Sequence, residues 1–391
     1  MKIRSIETLQ ADGGNRPLSF VKVTTESGII GWSEYTEAVG NAGTRCAIER
    51  LATLLIGQQA DRVEWAMAIA YTKTIPVWNG IAAHARAAIS NALLDIAAKA
   101  AGVPVHAMFG GKVRDTVPVY WTHFCGPRIH NPDLCNLPEI RSYEQISELA
   151  VEAKERGFSA VKMNIFLHDG NRFIPKSPGH GVGNGFPALN PDPEMFAALE
   201  RQLEAIRKGA GDDLGLMVDL NFNFKREGFK QLLRRLEKWD LFWAELDIYD
   251  PGTMQSLQNQ TTVPLAGGES IIGRRGFRPY FEKYVYDTAV VDVIWNGFLE
   301  SYKIASMAET YELNVAPHNF YGCLADHISG HFAAVIPNLK IMEYEVDDIP
   351  WRTEFFSHET VIKDGQMIIP DRPGWGVDVI EEAVLARPWK G

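Results

Sequence analysis

Three acidic residues each stand at the end of a short apolar run: Asp219 in LMVDLNF, Glu245 in LFWAELDIY and Glu269 in VPLAGGES. Runs of this length and composition are typical of β-strands. If the three strands are parallel neighbours, their carboxyl ends meet at one edge and the carboxylates converge there. Carboxylate oxygens are the ligands that hard divalent cations prefer, so we expect a metal site with Mg2+ as the ion.

The series continues with Asp292 in TAVVDVIWNG, His318 in LNVAPHNF and Glu343 in LKIMEYEV. The intervals between successive members of the series are 26, 24, 23, 26 and 25 residues, the length of one strand, one helix and their loops. A single acidic residue at a strand end is usually solvated. Six ionisable residues at this regular interval predict six strands that each present one such group at the same face of a (β/α) barrel.

The rest of the chain must hold these strands in place. A chain of 391 residues exceeds what one core normally supports, so we expect a large domain and a smaller one. Residues 1–115 combine β-rich runs with a helix from His84 to Gly102. Residues 116–350 carry the strand and helix alternation of the barrel. Residues 351–391 break that rhythm with two short strands around Asp364 and a helix, and we expect them to pack back on the N-terminal segment.

The second strand of the barrel, SAVKMNIF, is followed by the segment FLHDGNRFIPKSPGHGVGNGFPALNPDP. This segment is too long and too rich in Gly, Pro and Asn for a plain loop between a strand and a helix. At the carboxyl-end face of a barrel such a segment is typical of a lid. His168, Arg172 and His180 within it are candidates for binding a substrate, and solvated loop residues are the competing interpretation.

The composition, with 46% hydrophobic and 23% charged residues, is that of an ordinary globular protein. The formal net charge of -10 argues against nucleic acid and anionic membrane as partners, but a bound cation would still allow an anionic substrate. Because the chain has no apolar run of about 18 to 20 residues and no signal-type N-terminal core, we expect a cytoplasmic protein. The cysteines lack CxxC spacing, which favours reduced thiols. They are Cys46, Cys125, Cys135 and Cys323.

The chain resembles the enolase superfamily, in its mandelate racemase branch, and most of all the sugar-acid dehydratases of that branch. The matching stretches are VKVTTESGIIGWSEYTE, ALLDIAAKAAGVPVHAMFGGKVRDTVPVY, MVDLNFNF, WAEL, PLAGGES, DVIWNGFLES, APHN, MEY and PDRPGWGVDV. The resemblance implies an α/β fold, a modified (β/α)7β TIM-like barrel, with an α+β capping domain.

The same resemblance implies roles for the residues that end the barrel strands. His318, paired with Asp292, would be the catalytic base, and Glu343 would lie beside the substrate carboxylate. Three carboxylates would bind Mg2+: Asp219, Glu245 and Glu269.

The sequence departs from the pattern of this branch at positions that affect the mechanism. Members with a second base carry Lys-x-Lys on the second strand, where this chain has Lys162-Met163-Asn164. Other members place a histidine two residues after the first metal ligand, where this chain has Asn221. The fourth strand usually reads Glu-Glu-Pro, but here it reads Glu245-Leu246-Asp247. Because alternation along a strand puts Glu245 and Asp247 on the same side, either could bind the metal, and we favour Glu245.

The chemistry of a sugar acid explains why these residue types are needed. Its α-proton is weakly acidic because removal puts a second negative charge beside a carboxylate, and a divalent cation stabilises the resulting enediolate. The base must be neutral near neutral pH and fixed in orientation. A histidine bonded to a carboxylate meets both conditions, as His318 and Asp292 on adjacent strands could. The imidazolium of His318 can then donate its proton to the β-hydroxyl, which leaves as water.

A racemase needs a second base on the opposite face of the α-carbon, and the lysine that usually supplies it is Asn164 here. The sequence therefore favours Mg2+-dependent dehydration of an aldonate or related sugar acid to a 2-keto-3-deoxy acid. One alternative is a racemase or epimerase of the same superfamily with Lys162 as the second base. Another is a homologue that binds a sugar acid without turnover. In the favoured mechanism Lys162 supports the substrate carboxylate electrostatically.

Further residues are candidates for binding the substrate. Asn164 and Asn221 occupy the positions of the absent second bases. His123 ends the first strand, where it faces either the pocket or the barrel wall. Arg16 and Trp32 are candidates through the resemblance, which also favours a homo-oligomer. The chain length and stereochemistry of the sugar acid depend on loop side chains that the sequence does not place.

Overall fold

The computed structural model describes residues 1–176 and 190–390. The N-terminal part is an antiparallel sheet in the order β1-β2-β3, followed by three helices. These elements are β1 (Ile3–Asp12), β2 (Pro17–Thr25), β3 (Ile30–Tyr35), α1 (Thr44–Leu55), α2 (Val63–Thr74) and α3 (Ile81–Ala101). Helix α3 is largely buried and bonds to the barrel, because the side-chain oxygen of Asn91 accepts the N–H of Phe298 at 2.8 Å.

The predicted barrel is confirmed as eight parallel strands, with a small separate hairpin formed by β6 and β7. The barrel strands are β4 (Thr116–Thr122), β5 (Ala160–Met163), β8 (Gly215–Asp219), β9 (Trp243–Glu245), β10 (Leu265–Gly267), β11 (Thr288–Asp292), β12 (Asn314–His318) and β13 (Met342–Glu345). The hairpin strands are β6 (Phe166–His168) and β7 (Phe173–Pro175). The last strand pairs with the first, β13 with β4, and this pairing curls the sheet round. The N–H of Lys340 donates to the carbonyl of Val315 at 2.8 Å, which joins β12 to the lead-in of β13.

Helices follow the strands and cover the outside of the barrel. They are α4 (Gly126–His130), α5 (Pro132–Cys135), α6 (Tyr143–Glu155), α7 (Pro193–Ala210), α8 (Arg226–Leu236), α9 (Pro251–Gln258), α10 (Gly273–Phe281), α11 (Val293–Asn296), α12 (Phe298–Glu309) and α13 (Cys323–Val335). Local sequence defines their starts. The hydroxyl of Ser142 caps α6 together with Gln145, and the carboxylate of Asp192 caps α7.

A ring of buried side chains inside the barrel explains how the strands present their ionisable residues. Each strand, or the residue just before it, contributes one member: Tyr120, Ala160, Met217, Trp243, Ala266, Val290, Ala316 and Ile341. Side chains two residues apart on a strand point the same way. Two residues further along, seven of these positions therefore place a polar side chain above the ring: Thr122, Lys162, Asp219, Glu245, Asp292, His318 and Glu343. The eighth is Gly268, and the ionisable residue there is its neighbour Glu269.

The C-terminal residues form β14 (Ile362–Lys363), β15 (Gln366–Ile368) and α14 (Glu381–Ala386), as the strand and helix patterns predicted. Helix α14 packs on β1, and Ala11 forms a bridge with Pro388. Strand β15, however, pairs antiparallel with β4 of the barrel, so the tail contacts both parts of the molecule. The division at residues 115 and 350 stays a prediction.

The predicted lid falls partly outside the described residues, which omit 177–189 and with them His180. The described start of the segment is the hairpin of β6 and β7. His168 is engaged there, with Nε2 lying 2.8 Å from the carbonyl oxygen of Arg141. Among the residues that the structure describes, no helix combines the length and apolar character needed to cross a membrane.

Candidate active site

Three carboxylates converge at the carboxyl ends of β8, β9 and β10. One ligand oxygen from each of Asp219, Glu245 and Glu269 lies within 4.8 Å of the others. Asp219 and Glu245 are direct partners in the parallel register of β8 and β9. Glu269 reaches the group because the chain turns at Gly268, whose φ of 106° is accessible to glycine and strained for other residues.

The donor set of this group fits a divalent cation. Oε1 of Glu245 is buried and has no hydrogen-bond partner among the described residues, so it is free to bind an ion. Burial raises the pKa of Glu245 to about 7, with Lys162 lowering it and Asp219 and Glu343 raising it. Burial, together with the charge of Asp247, also raises the pKa of Glu269 well above its ordinary value. A bound cation would relieve the repulsion that these shifts report.

Asp247 lies beside this group but not within it. It is buried, its Oδ2 has no hydrogen-bond partner within residues 1–176 and 190–390, and its N–H donates to the carbonyl of Asn221 at 3.3 Å. Burial raises its pKa well above the ordinary value, with the charges of Glu245 and Asp219 adding to the shift. The set of three converging ligand atoms therefore contains Glu245 rather than Asp247.

Lys162 joins the carboxylates at the floor of the site. Its side chain is 3% exposed, and Nζ lies 3.0 Å from Glu245 Oε2, 3.2 Å from Asp219 Oδ2 and 2.9 Å from Glu343 Oε1. Burial alone would lower the pKa of Lys162, but these carboxylates hold it well above its ordinary value. The side chain is therefore an ammonium group positioned beside the converging carboxylates of Asp219 and Glu245.

His318 and Asp292 form a buried pair on adjacent strands. They are register partners in β11 and β12, and His318 Nδ1 donates to Asp292 Oδ2 at 2.6 Å. The same oxygen accepts the hydroxyl of Tyr321, and Asp292 Oδ1 accepts the N–H of Trp295 at 2.6 Å. Nε2 of His318 is left facing the carboxylates, 3.3 Å from Glu269 Oε2.

The environment of His318 favours its protonated form in this arrangement. Burial alone would lower the pKa of His318, but the charges of Glu269, Glu343 and Asp292 raise it to about 10. A cation bound to Glu269 would offset the largest of these attractions and bring the imidazole closer to the range that a base requires.

Glu343 is held by donors on both oxygens. The hydroxyl of Thr122 donates to Oε1, and the N–H of Asn319 donates to Oε2 at 2.9 Å. Burial alone would raise the pKa of Glu343, but Lys162 and His318 hold it well below the usual range. Glu343 is therefore an ionised, fixed group between Lys162 and His318.

A second histidine–carboxylate pair lies where β4 meets β13. His123 Nδ1 lies 2.5 Å from Glu345 Oε2, and both residues line a cavity of about 310 Å3. Arg16 and Asn164 line the same cavity. Phe320 contacts both histidines, with ring centroids 5.6 Å from His123 and 5.0 Å from His318. The cavity therefore opens beside His318.

The capping residues reach the mouth of the barrel at several points. Arg16 donates to the carbonyl of Phe320 and lies over its ring at 4.5 Å. His84 stacks on Trp295 at 5.2 Å, and both line a second cavity of about 830 Å3 that includes Glu269. Glu34 accepts the N–H groups of Gly322 and Ala325 and so ties β3 to the loop after His318.

Asn164 and Asn221 lie beside Asp219. Asn164 Nδ2 donates to the carbonyl of Asp219 at 3.3 Å and to Asn221 Oδ1 at 3.2 Å. The N–H of Asn221 donates to Asp219 Oδ1 at 3.0 Å. These contacts place both asparagines next to the group of three carboxylates, and of the two Asn164 lines the 310 Å3 cavity.

Trp32 corrects the sequence-based expectation, because the structure does not bring it to the mouth. Its side chain is enclosed in the hydrophobic core and is 3% exposed. Its N–H donates to Asp95 at 2.9 Å, and its carbonyl accepts the indole N–H of Trp375 at 3.2 Å. These contacts turn this part of β3 towards α3 and the C-terminal segment, so Trp32 is a structural residue of the cap.

Sequence reasoning did not identify several residues that hold Asp292 and Glu343. Tyr321 and Trp295 bond to Asp292, and Thr122 bonds to Glu343. Tyr321 lies in the loop after β12 and carries no periodic signal, whereas Thr122 ends β4 two residues beyond Tyr120 of the interior ring. Glu345 had such a signal, because it lies two residues beyond Glu343 on the same strand and must therefore share its face.

Comparison with known proteins agrees with this fold and site. Residues 4–110 match the N-terminal domain family of mandelate racemase and muconate lactonizing enzyme, and residues 145–383 match the family described as enolase C-terminal domain-like. The chain belongs to the enolase superfamily, as its motifs predicted.

Individual relatives are enzymes of two kinds. A D-xylonate dehydratase of Haloferax volcanii is 30% identical over 100% of this chain and 90% of its own. A Burkholderia xenovorans protein provisionally named L-alanine-DL-glutamate epimerase is 44% identical, with a TM-score of 0.97 over 99% of this chain and 98% of its own. A second structure of that protein, bound to magnesium and fumarate, has a TM-score of 0.96 at 44% identity, over 99% of this chain and 96% of its own. The predicted relationship to acid-sugar dehydratases is confirmed.

Proposed function

We propose that this enzyme dehydrates a sugar acid, an aldonate or a related compound, to the 2-keto-3-deoxy acid. Asp219, Glu245 and Glu269 would hold Mg2+. The observation that carries the proposal is the pair His318–Asp292, whose free Nε2 lies 3.3 Å from Glu269 beside the metal group. Asn164, at the usual place of a second base, cannot accept a proton from carbon. The magnesium and fumarate of the Burkholderia structure support a metal and a carboxylate ligand in such a site.

The order of events follows from the contacts of the residues. Bound Mg2+ supplies the positive charge that stabilises the second negative charge of the enediolate. Lys162 adds a second cation beside the substrate carboxylate, and Glu343 keeps Lys162 in place at 2.9 Å. His318 takes the α-proton at Nε2, while Asp292 holds the ring and stabilises the imidazolium that forms. His318 then donates that proton to the β-hydroxyl, which leaves as water.

An epimerase is the second candidate, because the 44% identical Burkholderia protein bears that provisional name. An epimerase would need Lys162 as the base on the other face of the α-carbon. The geometry weighs against this role, since three carboxylates surround the Lys162 ammonium within 3.2 Å and stabilise its proton. Dehydration needs His318 alone at the α-carbon, and we therefore favour it.

A substrate screen tests the proposal directly. The purified enzyme with Mg2+ is incubated with a library of sugar monoacids and diacids that includes D-xylonate, and 2-keto acid formation is measured. We expect one or a few acids to give a 2-keto-3-deoxy product. Exchange of the α-proton with deuterated water and no 2-keto product would instead identify an epimerase.

Metal removal tests the site assignment. A chelator should abolish activity, and added Mg2+ should restore it, because loss of several kcal/mol of stabilisation lowers the rate by roughly a thousandfold or more. Asp219→Asn should lose activity in the same way while keeping its fold. Full activity of the metal-free protein would contradict the assignment of these three ligands.

A further inference from the structure

We propose that His123, held by Glu345, is a second proton-transfer residue, which delivers a proton to the β-carbon of the enol left after water departs. This inference rests on the proposed dehydration and concerns its last step, the conversion of the enol into the keto acid. Elimination of water leaves an enol, with a double bond between the α- and β-carbons and a hydroxyl on the α-carbon. A proton must still be added at the β-carbon before the product is a 2-keto-3-deoxy acid.

The pair His123–Glu345 repeats the bonding of His318–Asp292. In each pair Nδ1 contacts one carboxylate oxygen, at 2.5 Å in His123–Glu345 and at 2.6 Å in His318–Asp292. When a carboxylate bonds to Nδ1, Nε2 is the nitrogen left to exchange a proton with the substrate, and the carboxylate stabilises the imidazolium. Burial alone would lower the pKa of His123, but the charge and hydrogen bond of Glu345 raise it above the ordinary value. The pair is therefore built to hold and release a proton.

The position of His123 suits a reaction at the carbon next to the one that His318 attacks. His123 follows Thr122, whose hydroxyl bonds to Glu343, and the next residue, Phe124, bonds through its N–H to the carbonyl of Lys162 at 2.9 Å. His123 thus stands over the two strands that carry Lys162 and Glu343. Phe320 packs against both His123 and His318, with ring centroids at 5.6 and 5.0 Å, so one aromatic ring connects the two histidines.

Access to solvent distinguishes this pair and lets it recover its proton. The side chain of His123 is 38% accessible, and it lines the 310 Å3 cavity. His123 also has a φ of 47°, a left-handed conformation that costs energy for a residue other than glycine and is common at functional sites. Oε1 of Glu345 is buried without a hydrogen-bond partner among the described residues.

The proposed step balances in atoms and electrons. The π electrons of the enol form the new C–H bond at the β-carbon with the proton from His123 Nε2. The electron pair of the enol O–H bond forms the carbonyl, and that proton passes to solvent. His123 then takes a proton from solvent through the cavity. No oxidant or reductant takes part, and the sum is conversion of the enol into the keto acid.

A labelling experiment tests the step. The enzyme with Mg2+ turns over D-xylonate, or the aldonate with the highest rate in the screen, in deuterated water, and the two hydrogens on the β-carbon of the product are resolved by NMR. A proton delivered by His123 enters from one face, so deuterium should occupy one of the two positions. The 2-keto product that His123→Asn forms should carry deuterium in both positions equally, because the residue that delivers the proton to one face is missing.

The variants distinguish a role of His123 in proton transfer from a role in folding. Asparagine tolerates the left-handed backbone at position 123, and circular dichroism checks that the variant is folded. Glu345→Gln should also lose selectivity, because an amide cannot stabilise the imidazolium. His130→Asn is the matched control. His130 lines the same cavity and packs on Phe166 at 5.4 Å but contacts no carboxylate among the described residues, and its variant should keep one labelled position.

The outcomes are distinct. Deuterium in one position with His123→Asn would overturn the inference, and so would equal labelling by the wild-type enzyme. Loss of elimination in His123→Asn, with the fold retained by circular dichroism, would also overturn it, because the residue would then act before the enol forms. Absence of a 2-keto product from the wild-type enzyme on every acid in the screen would overturn the proposed function and this inference with it.

Discussion

Two histidine–carboxylate pairs share one bonding pattern at the mouth of this barrel, but their surroundings differ. Asp292 is fully buried and accepts bonds from His318, Tyr321 and Trp295. Glu345 accepts one bond from His123 and has an oxygen without a partner among the described residues. The side chain of His318 is 5% accessible and that of His123 is 38% accessible. In both pairs neighbouring carboxylates raise the pKa of the histidine against the effect of burial, but the side chain of His123 is the more accessible one and can exchange its proton with solvent.

The substitution with the largest expected effect distinguishes the pair His318–Asp292 from the pair His123–Glu345. His318→Asn should lower dehydration by at least about 10²–10⁴-fold, the usual contribution of a general base, and should also stop exchange of the α-proton in deuterated water. His123→Asn should lower both rates less than His318→Asn does, because His123 acts only after the enol has formed. The rates are measured by 2-keto acid formation and by NMR of the recovered substrate.

A partial result would change the interpretation. If His318→Asn still exchanges the α-proton while failing to eliminate water, a second base exists. Lys162 would then be the first candidate, and the epimerase function would become the better proposal.

The next largest effect concerns the ammonium group of Lys162. Lys162→Met should raise KM for the sugar acid and lower kcat/KM by roughly ten- to a hundredfold, because a hydrogen bond to a charged group contributes about 1.5–3 kcal/mol. The proton that is lost should stay the same, because His318 removes it. Lys238→Met, at an exposed ion pair with Glu200, is the control and should have wild-type kinetics. An unchanged KM with Lys162→Met would contradict the role in binding the carboxylate.

A smaller effect tests how tightly the buried pair is held. Tyr321→Phe removes one of the donors to Asp292 and should lower kcat by about tenfold with little change in KM, because this hydroxyl is bonded to Asp292 and acts through it. Tyr284→Phe, at an exposed tyrosine, is the control. Steady-state kinetics provide the measurement. A fall in kcat/KM caused by KM alone would show that Tyr321 contacts the substrate instead.

The strand ends were the part of the site that the sequence could predict. Each of Asp219, Asp292 and His318 lies two residues beyond a member of the interior ring, so strand period and barrel repeat together determine where its side chain points. Glu269 was found by its spacing, although a glycine turn rather than the strand places it.

The loops and the cap could not be placed in the same way. Tyr321 lies after β12, and its hydroxyl reaches Asp292 through the fold of a loop whose backbone is held by Glu34 and Arg352. Such contacts join residues far apart in the sequence and leave no period to detect. Trp32 shows the opposite error. Its place in a matching motif suggested a substrate-binding residue, but its side chain lies in the hydrophobic core of the cap.

In a third group of histidines a backbone carbonyl takes the place that Asp292 or Glu345 has in the two pairs, and the pKa is lowered instead of raised. His327 and His331 both contact the carbonyl oxygen of Trp375, at 3.0 and 3.2 Å. Burial lowers the pKa of His327 to about 4 and that of His331 well below its ordinary value. Both are therefore neutral where α13 packs against the C-terminal segment.

The smallest expected effect is a pH dependence of stability from this group. The pKa of His327 in the folded protein is about 4, below its ordinary value of 6.5, so between these pH values the unfolded chain binds a proton that the folded chain does not. Stability should therefore fall as the pH drops through about 6.5, by about 3 kcal/mol at most for this residue. The melting temperature measured from about pH 7 to about pH 4.5 should decline less steeply in His327→Gln than in the wild-type protein. His358→Gln, at an exposed histidine, should reproduce the wild-type slope. Parallel curves for His327→Gln and the wild type would show that this buried imidazole does not couple folding to protonation, and the contrast with the two carboxylate-bound histidines would then rest on their geometry alone.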